Sequence, residues 1–311
     1  MKAIRKHIST IILILVFLAG ISLVLYPTVS DYWNSLHQSR AIAGYDSAVS
    51  KLDTSRYDEM LAEARAYNEA IRTNPSRFTP TEEETAWYRS LLDVSGTGIM
   101  AYVEIPKLRE KLPVYHGTDD AVLQIAVGHI EGSSLPVGGE GTHSVLSGHR
   151  GLPSAKLFTN LDELETGNIF LIHVLGEELT YEVDQILTVL PYETEALEIE
   201  EGKDYCTLVT CTPYGVNTHR LLVRGHRIET KEESVPVAGD AGMVSAASES
   251  WEEKALGFLR KVTKLVPVPV IAAGAALLLL IFLLASSGRR GGKRKDRRPE
   301  VQDNEENADE K

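Results

Sequence analysis

The chain has 311 residues, 43% of them hydrophobic, and carries a net charge of −12. That acidic balance argues against a nucleic-acid partner, which needs a basic stripe. Two cysteines in so long a chain exclude a disulfide scaffold.

In chain order, segment 1–7 holds Lys2, Arg5 and Lys6, and Ile11 to Tyr26 is almost purely apolar. Pro27-Thr28-Val29-Ser30-Asp31-Tyr32-Trp33 follows without a small-x-small cleavage pattern, which favours an uncleaved signal-anchor over a cleavable signal peptide. Taken as 8–29, the run reaches the ~20 residues that a span requires. Tyr26, Tyr32 and Trp33 suit its outer interface. Segment 30–97 is an N-terminal helical region, and within it Asp31 to Arg72 is polar with helical spacing. Tyr57, Leu61, Ala64, Tyr67 or Asn68, and Ile71 fall on one face, with N-cap candidates in Asp53-Thr54-Ser55. One or two helices are expected there, packed beside a catalytic domain or forming a stalk with no catalytic part. Asn74-Pro75 and Thr79-Pro80 break the pattern, and Thr81 with Glu84 fits a capping box opening a short helix through Leu92.

From Gly98 the pattern changes to short β-type runs: Met100 to Ile105, Ser144 to Ser147, Ile169 to Val174, Leu179 to Val189, Thr207 to Thr210 and Leu221 to Ile228. Many short strands punctuated by Gly, Pro and Asn predict a mainly β domain over 98–229, a closed or nearly closed barrel. Segment 230–264 reads as an acidic linker and juxtamembrane stretch. Segment 265–285 is a second apolar run, and 286–311 a basic, then acidic, tail. Basic clusters flanking both runs place both termini in the cytoplasm and the barrel outside.

The chemistry centres on Thr207-Leu208-Val209-Thr210-Cys211-Thr212-Pro213-Tyr214-Gly215-Val216-Asn217-Thr218-His219-Arg220. The turn residues Pro213, Gly215 and Asn217 separate two strands, so a hairpin-like return sets the Cys211 thiol beside the Arg220 guanidinium, a nucleophile next to a cation that can steady an oxyanion. Cys206 and Cys211 are separated by an odd offset, point to opposite faces of one strand and should not form a disulfide. Cys206 reads as a small buried hydrophobe. A thiol needs a base or cation nearby to react at neutral pH. His116, His129, His143, His149, His173, His219 and His226 are all available, and the residues alone do not choose among them. His143, His149 and Cys211 could serve as zinc ligands, but no Cys-x-x-Cys, His-Glu-x-x-His or close ligand pair supports a metal site.

Thr207-Leu208-Val209-Thr210-Cys211 with Arg220 resembles the TLxTC…R signature of the sortases, Gram-positive cysteine transpeptidases. Ser144-Val145-Leu146-Ser147-Gly148-His149-Arg150-Gly151 is similar to the family's segment with the catalytic His. Ile105-Pro106-Lys107, Leu112 to Gly117 and Gly132 to Gly139 extend the likeness, which between Ile99 and Arg227 is to the class C, pilus-type, branch. The resemblance implies a sortase-like β-barrel with N-terminal helices, here flanked by two transmembrane helices. It implies Cys211 as nucleophile, His149 as general acid/base and Arg220 as stabiliser of the substrate carbonyl and oxyanion, with no cofactor. It further implies cleavage of an LPxTG-type signal between Thr and Gly, and transfer to an amine. The acceptor would be a pilin Lys, or a peptidoglycan cross-bridge amine if the enzyme anchors proteins to the wall. A membrane-tethered, inactive binding module is the alternative of another class. Many pilus-type members carry a lid with an Asp-Pro-aromatic motif over the thiol. Asn74 to Tyr88, the lid-equivalent segment within 30–97, contains no Asp-Pro, so this segment is expected to pack as helix and turn against the barrel and leave Cys211 accessible.

Overall fold

The computed structural model describes residues 2–229. The linker, the second apolar run at 265–285 and the basic tail lie outside the described residues. The chain divides into two compact units, Met1–Leu18 with Gly239–Lys311, and Ala19–Ala238. What is described of the first is the opening of a helix; every other element lies in the second.

Helix α1 spans Lys2–Val49 and passes through Pro27 without ending. The expected boundary after Val29 is therefore absent: the apolar run and the first polar helical stretch form one helix. Helix α2, Thr54–Arg72, starts where expected, with Asp53 accepting the Arg56 N–H at its N-cap, and buries Met60, Ala64, Tyr67, Asn68 and Ile71. Helix α3, Glu82–Ser90, opens on the Thr81/Glu84 capping box and buries Tyr88. These two helices share one apolar core with the barrel interior.

The strands are β1 (Ile99–Ile105), β2 (Glu110–His116), β3 (Val127–His129), β4 (Thr142–Ser147), β5 (Ile169–Val174), β6 (Glu177–Val189), β7 (Asp204–Thr212) and β8 (His219–Arg227), with a short helix α4 (Asp120–Leu123) before β3. They close a barrel in the order β1-β2-β3-β4-β7-β8-β6-β5. Two neighbouring pairs, β2–β3 and β4–β7, are parallel. The mainly β barrel expected from the sequence is therefore present, with eight strands.

Inside the barrel, Phe170, Tyr181, Leu208 and Val223 are buried together. A second cluster of Ile42, Tyr45, Ile99 and Tyr102 seats α1 against β1. The register of β1 slips between Ile99 and Ala101, a bulge that leaves Met100 outside the ladder. The Tyr45 hydroxyl, almost fully buried, serves that gap: it donates to the Met100 carbonyl at 3.0 Å and accepts the Leu175 N–H at 2.8 Å. Burial pushes this phenol far above its ordinary range, so it stays a neutral donor.

Candidate active site

Cys211 is the penultimate residue of β7 and pairs directly with Arg220 across the antiparallel β7–β8 ladder. Residues facing each other in such a ladder have Cβ atoms about 5 Å apart on one face. The expected juxtaposition of thiol and guanidinium is thus present, one step inside the strand rather than beyond its end. The alternation along β7 separates the cysteines: Cys206 and Leu208 point into the barrel core, while Val209 belongs to a cluster on the outer face. Cys211 shares the Val209 face and is half-buried; both thiols are free. Burial raises the Cys206 thiol well above its usual range, which removes it as a nucleophile.

The parallel β4–β7 pair ends at Ser147 opposite Val209. Gly148 continues the register, its N–H donating to the Val209 carbonyl at 3.0 Å and its carbonyl accepting the Thr210 hydroxyl at 2.7 Å. His149 follows, and so comes level with Cys211 at the same end of the barrel. Glycine is required before it, because a Cβ at Gly148 would lie 2.7 Å from the Phe158 ring. The loop beyond is fastened. The Phe158 N–H donates to the His149 carbonyl at 3.1 Å, and the Gly151 N–H to the Thr159 hydroxyl at 3.1 Å. Arg150 joins this loop to the residue after Cys211: it pairs with Asp162, donates to the Thr212 hydroxyl at 3.2 Å and lies over the Tyr214 ring.

The structure separates the seven candidate histidines by their surroundings. His129 is fully buried, stacks on Tyr88 and bonds the Ser134 carbonyl; burial holds it down at about 4. His143, also lowered to about 4 by burial, uses both nitrogens. Nδ1 donates to the Glu198 carbonyl at 2.8 Å, which leaves Nε2 to accept the Thr207 hydroxyl at 2.7 Å. Neither nitrogen is open to a metal, so the His143–His149–Cys211 zinc reading fails on geometry. His116 bonds the Leu91 carbonyl, and His173 and His226 pair with Tyr102 and Tyr205, away from Cys211. His219 neighbours Arg220 on β8, points to the other face and bonds the Thr218 hydroxyl. Among the described residues the His149 ring makes no hydrogen bond.

Arg220 Nη1 donates to the Asn217 carbonyl at 3.3 Å and the His219 carbonyl at 3.1 Å. Its Nε and Nη2 have no protein partner among the described residues. Beside the thiol, the outer face of β4, β7 and β8 is apolar, with Val145, Val209 and Leu222 under Leu197 and edged by Val189. Leu197 lies in a 3₁₀ turn, Glu195–Leu197, that covers this apolar cluster as a wall. The wall is held from two sides. His143 takes the Glu198 carbonyl, and the buried Arg77 donates to the Leu197 carbonyl at 3.1 Å and to the Glu198 carboxylate at 3.2 Å. Arg77 belongs to the Asn74–Pro80 turn, which abuts Gly132 so closely that a Cβ there would sit 2.1 Å from the Arg77 carbonyl. As expected, the segment packs as turn and helix against the barrel. None of its hydrogen bonds reaches Cys211, His149 or Arg220. Sequence reasoning did not single out Arg77 or Arg150; the signal for Arg150 was its place beside His149, and Arg77 left none.

Residues 103–228 match the sortase domain model. The crystal structure of sortase C1 from Streptococcus agalactiae is 52% identical, covers 61% of this chain and 98% of that one, and superposes with a TM-score of 0.60. This chain belongs to the sortase family. Streptococcus pneumoniae sortase C is 44% identical over 61% of the chain and 97% of its own, with a TM-score of 0.55. Sortase D of Bacillus subtilis is 33% identical over 129 residues, which span 62% of that relative's length. The solved neighbours in this set are sortase C structures, so the class C likeness of the sequence holds for the sortase barrel as well.

Proposed function

We propose that the protein is a membrane-anchored cysteine transpeptidase in which Cys211 is the nucleophile, His149 the general acid/base and Arg220 the oxyanion donor. The observation that carries this is the convergence of β4, β7 and β8 at one barrel end. It pairs Cys211 with Arg220 and brings His149 alongside, next to an apolar cluster. The Cys211 thiolate attacks the Thr carbonyl of an LPxTG-type signal. The C–N bond breaks, His149 protonates the departing amine, and a thioester remains. Nη2 and Nε of Arg220 bond the oxyanion while it exists. A second amine, deprotonated by His149, then attacks the thioester, forms a new amide and returns the thiolate. The balance closes without a cofactor.

The acceptor in this reading is a pilin Lys. It is supported by the class C neighbours, of which the Streptococcus pneumoniae enzyme is described with pilin substrates. The anchor is α1, whose residues Ile12 to Val29 expose large apolar side chains that only lipid would cover favourably. On the sequence alone, 265–285 supplies a second span and both termini are cytoplasmic.

Incubation with an LPxTG peptide, followed by mass spectrometry, tests the chemistry. A thioester adduct on Cys211, absent from Cys211→Ala and retained in Cys206→Ala, is expected. No adduct under turnover conditions would favour an inactive binding module instead.

A further inference from the structure

The catalytic end of the barrel lies at the foot of the anchoring helix, and the inference drawn from this rests on the reading of α1 as an anchor. Within the Ala19–Ala238 unit the apolar run of α1 ends at Val29. In the next turn, Asp31 accepts the Lys156 N–H at 2.8 Å, and Asn34 donates to the Ser154 carbonyl at 2.6 Å. Both belong to the loop that begins at His149. At 1.5 Å per residue, Asn34 stands only about 8 Å along the helix from the last apolar residue. Tilt of the helix brings it nearer to the lipid still.

The opposite end of the barrel is fixed by Tyr45, which holds Met100 and the β5–β6 turn at Leu175. Tyr45 is about 16 Å farther along α1 than Asn34. Strand directions agree. β6 and β7 run the same way, since each is antiparallel to β8; they leave the Leu175 end and finish at Val189 and Thr212, beside Arg220. Helix α1 therefore lies along the barrel with the His149–Cys211–Arg220 end next to the lipid and the β5–β6 turn away from it.

The surface of the membrane-side end is suited to that place. Outside α1, the three most exposed large apolar side chains among the described residues are Tyr192 at 76%, Val216 at 64% and Tyr214 at 60%. Tyr214 and Val216 sit in the turn between Cys211 and Arg220, and Tyr192 just beyond β6. Trp33, 63% exposed, lies one residue from Asn34 on α1. Aromatic side chains with a polar tip favour the headgroup layer. Exposed apolar groups gathered at one end call for a partner surface.

We infer that the β7–β8 turn and the segment after β6 rest on the outer surface of the bilayer through Tyr192, Tyr214 and Val216, so that the barrel end bearing Cys211, His149 and Arg220 faces the lipid headgroups. The partner this surface fits is a lipid surface, and the acyl donor reaches Cys211 along it.

The test uses the full chain in phosphatidylcholine–phosphatidylglycerol vesicles, with nitroxide-labelled headgroups in part of the lipid. In a Cys211→Ala background a small fluorophore is placed at Tyr214→Cys, with Val216→Cys as a second position, and at Glu178→Cys on the far end. Buried Cys206 stays unlabelled. Quenching several-fold stronger at the Tyr214 and Val216 positions than at Glu178 is expected. Protein that floats with the vesicles yet shows equal or reversed quenching overturns the orientation while leaving the anchor intact. Protein that fails to float overturns both.

Discussion

Arg220→Lys keeps the charge beside Cys211 and removes the planar fork, and the structure sets the size of the loss. Of the five guanidinium N–H donors, those on Nη1 hold the Asn217 and His219 carbonyls at the turn. Those on Nε and Nη2 have no partner among the described residues and, on the proposed reading, are left for a substrate oxygen. An ammonium has all its donors on one atom. It must either hold the turn or serve the substrate, and it cannot reproduce a two-point contact. Loss of one oxyanion donor costs about 10²–10³ in rate, which is ~2.7–4 kcal/mol of transition-state stabilisation. The drop is expected in kcat, because the oxyanion exists only in the transition state and its neighbours, while KM for the peptide changes little. Cleavage of a fluorogenic LPxTG peptide reads kcat and KM. Alkylation of Cys211 by a small haloacetamide reports separately that the thiol is intact. Near-native kcat in the Lys variant, with normal alkylation, would refute the role given to the fork and reduce Arg220 to a source of positive field.

Arg77→Ala removes one of the two holds on the Leu197 wall and should raise KM for the peptide several-fold while leaving kcat close to native; steady-state kinetics with unchanged KM would show that the wall stands without it. Tyr45→Phe strips the partner from two buried backbone groups and should lower stability by about 2–6 kcal/mol, at 1–3 kcal/mol for each orphaned group; an unchanged thermal midpoint by circular dichroism would contradict the account of the Met100 bulge. Burial holds His129 and His143 at about 4 in the fold, whereas the unfolded chain binds these protons near 6.5. The unfolded state therefore gains protons first as pH falls, and stability should be lost between about pH 6.5 and 4, by up to roughly 3 kcal/mol for each histidine. Urea midpoints that do not move between pH 7 and pH 5 would argue against it.

What the sequence revealed follows from how local each signal was. Strand β5 was legible from end to end, and the N-caps at Asp53 and Thr81 placed α2 and α3, because each depends on a few adjacent residues. Strand β2 escaped notice because Pro113 interrupts its pattern; β3 pairs only with Val114 to His116, so at Pro113 the strand is an edge and tolerates the missing donor. Strand β3, at three residues, has no period to detect. Helix α1 reads as two segments meeting after Val29 because the apolar run ends there and a polar stretch begins, yet a change of hydropathy does not end a helix and the backbone continues to Val49. In the site, Cys211 and Arg220 could be paired from the turn residues between them. His149 could not be chosen from the residues, because its place depends on β4 lying parallel to β7. Gly148 and its partner Thr210 are 62 positions apart, a distance no local pattern spans.

That parallel pairing also governs when the protein becomes reactive during its synthesis. A parallel neighbour cannot be reached by a tight turn, and β5 and β6 must be laid down between β4 and β7. Loop closure over such a separation comes late relative to hairpins such as β5–β6. The imidazole and the thiol are strangers until it happens, and the guanidinium arrives only with β8, the final strand of the barrel. A thiol without a neighbouring base or cation is a weak nucleophile at neutral pH. On the proposed reading of the site the nascent chain is therefore chemically quiet, and the appearance of acyl-transfer activity would report the completion of the last strand.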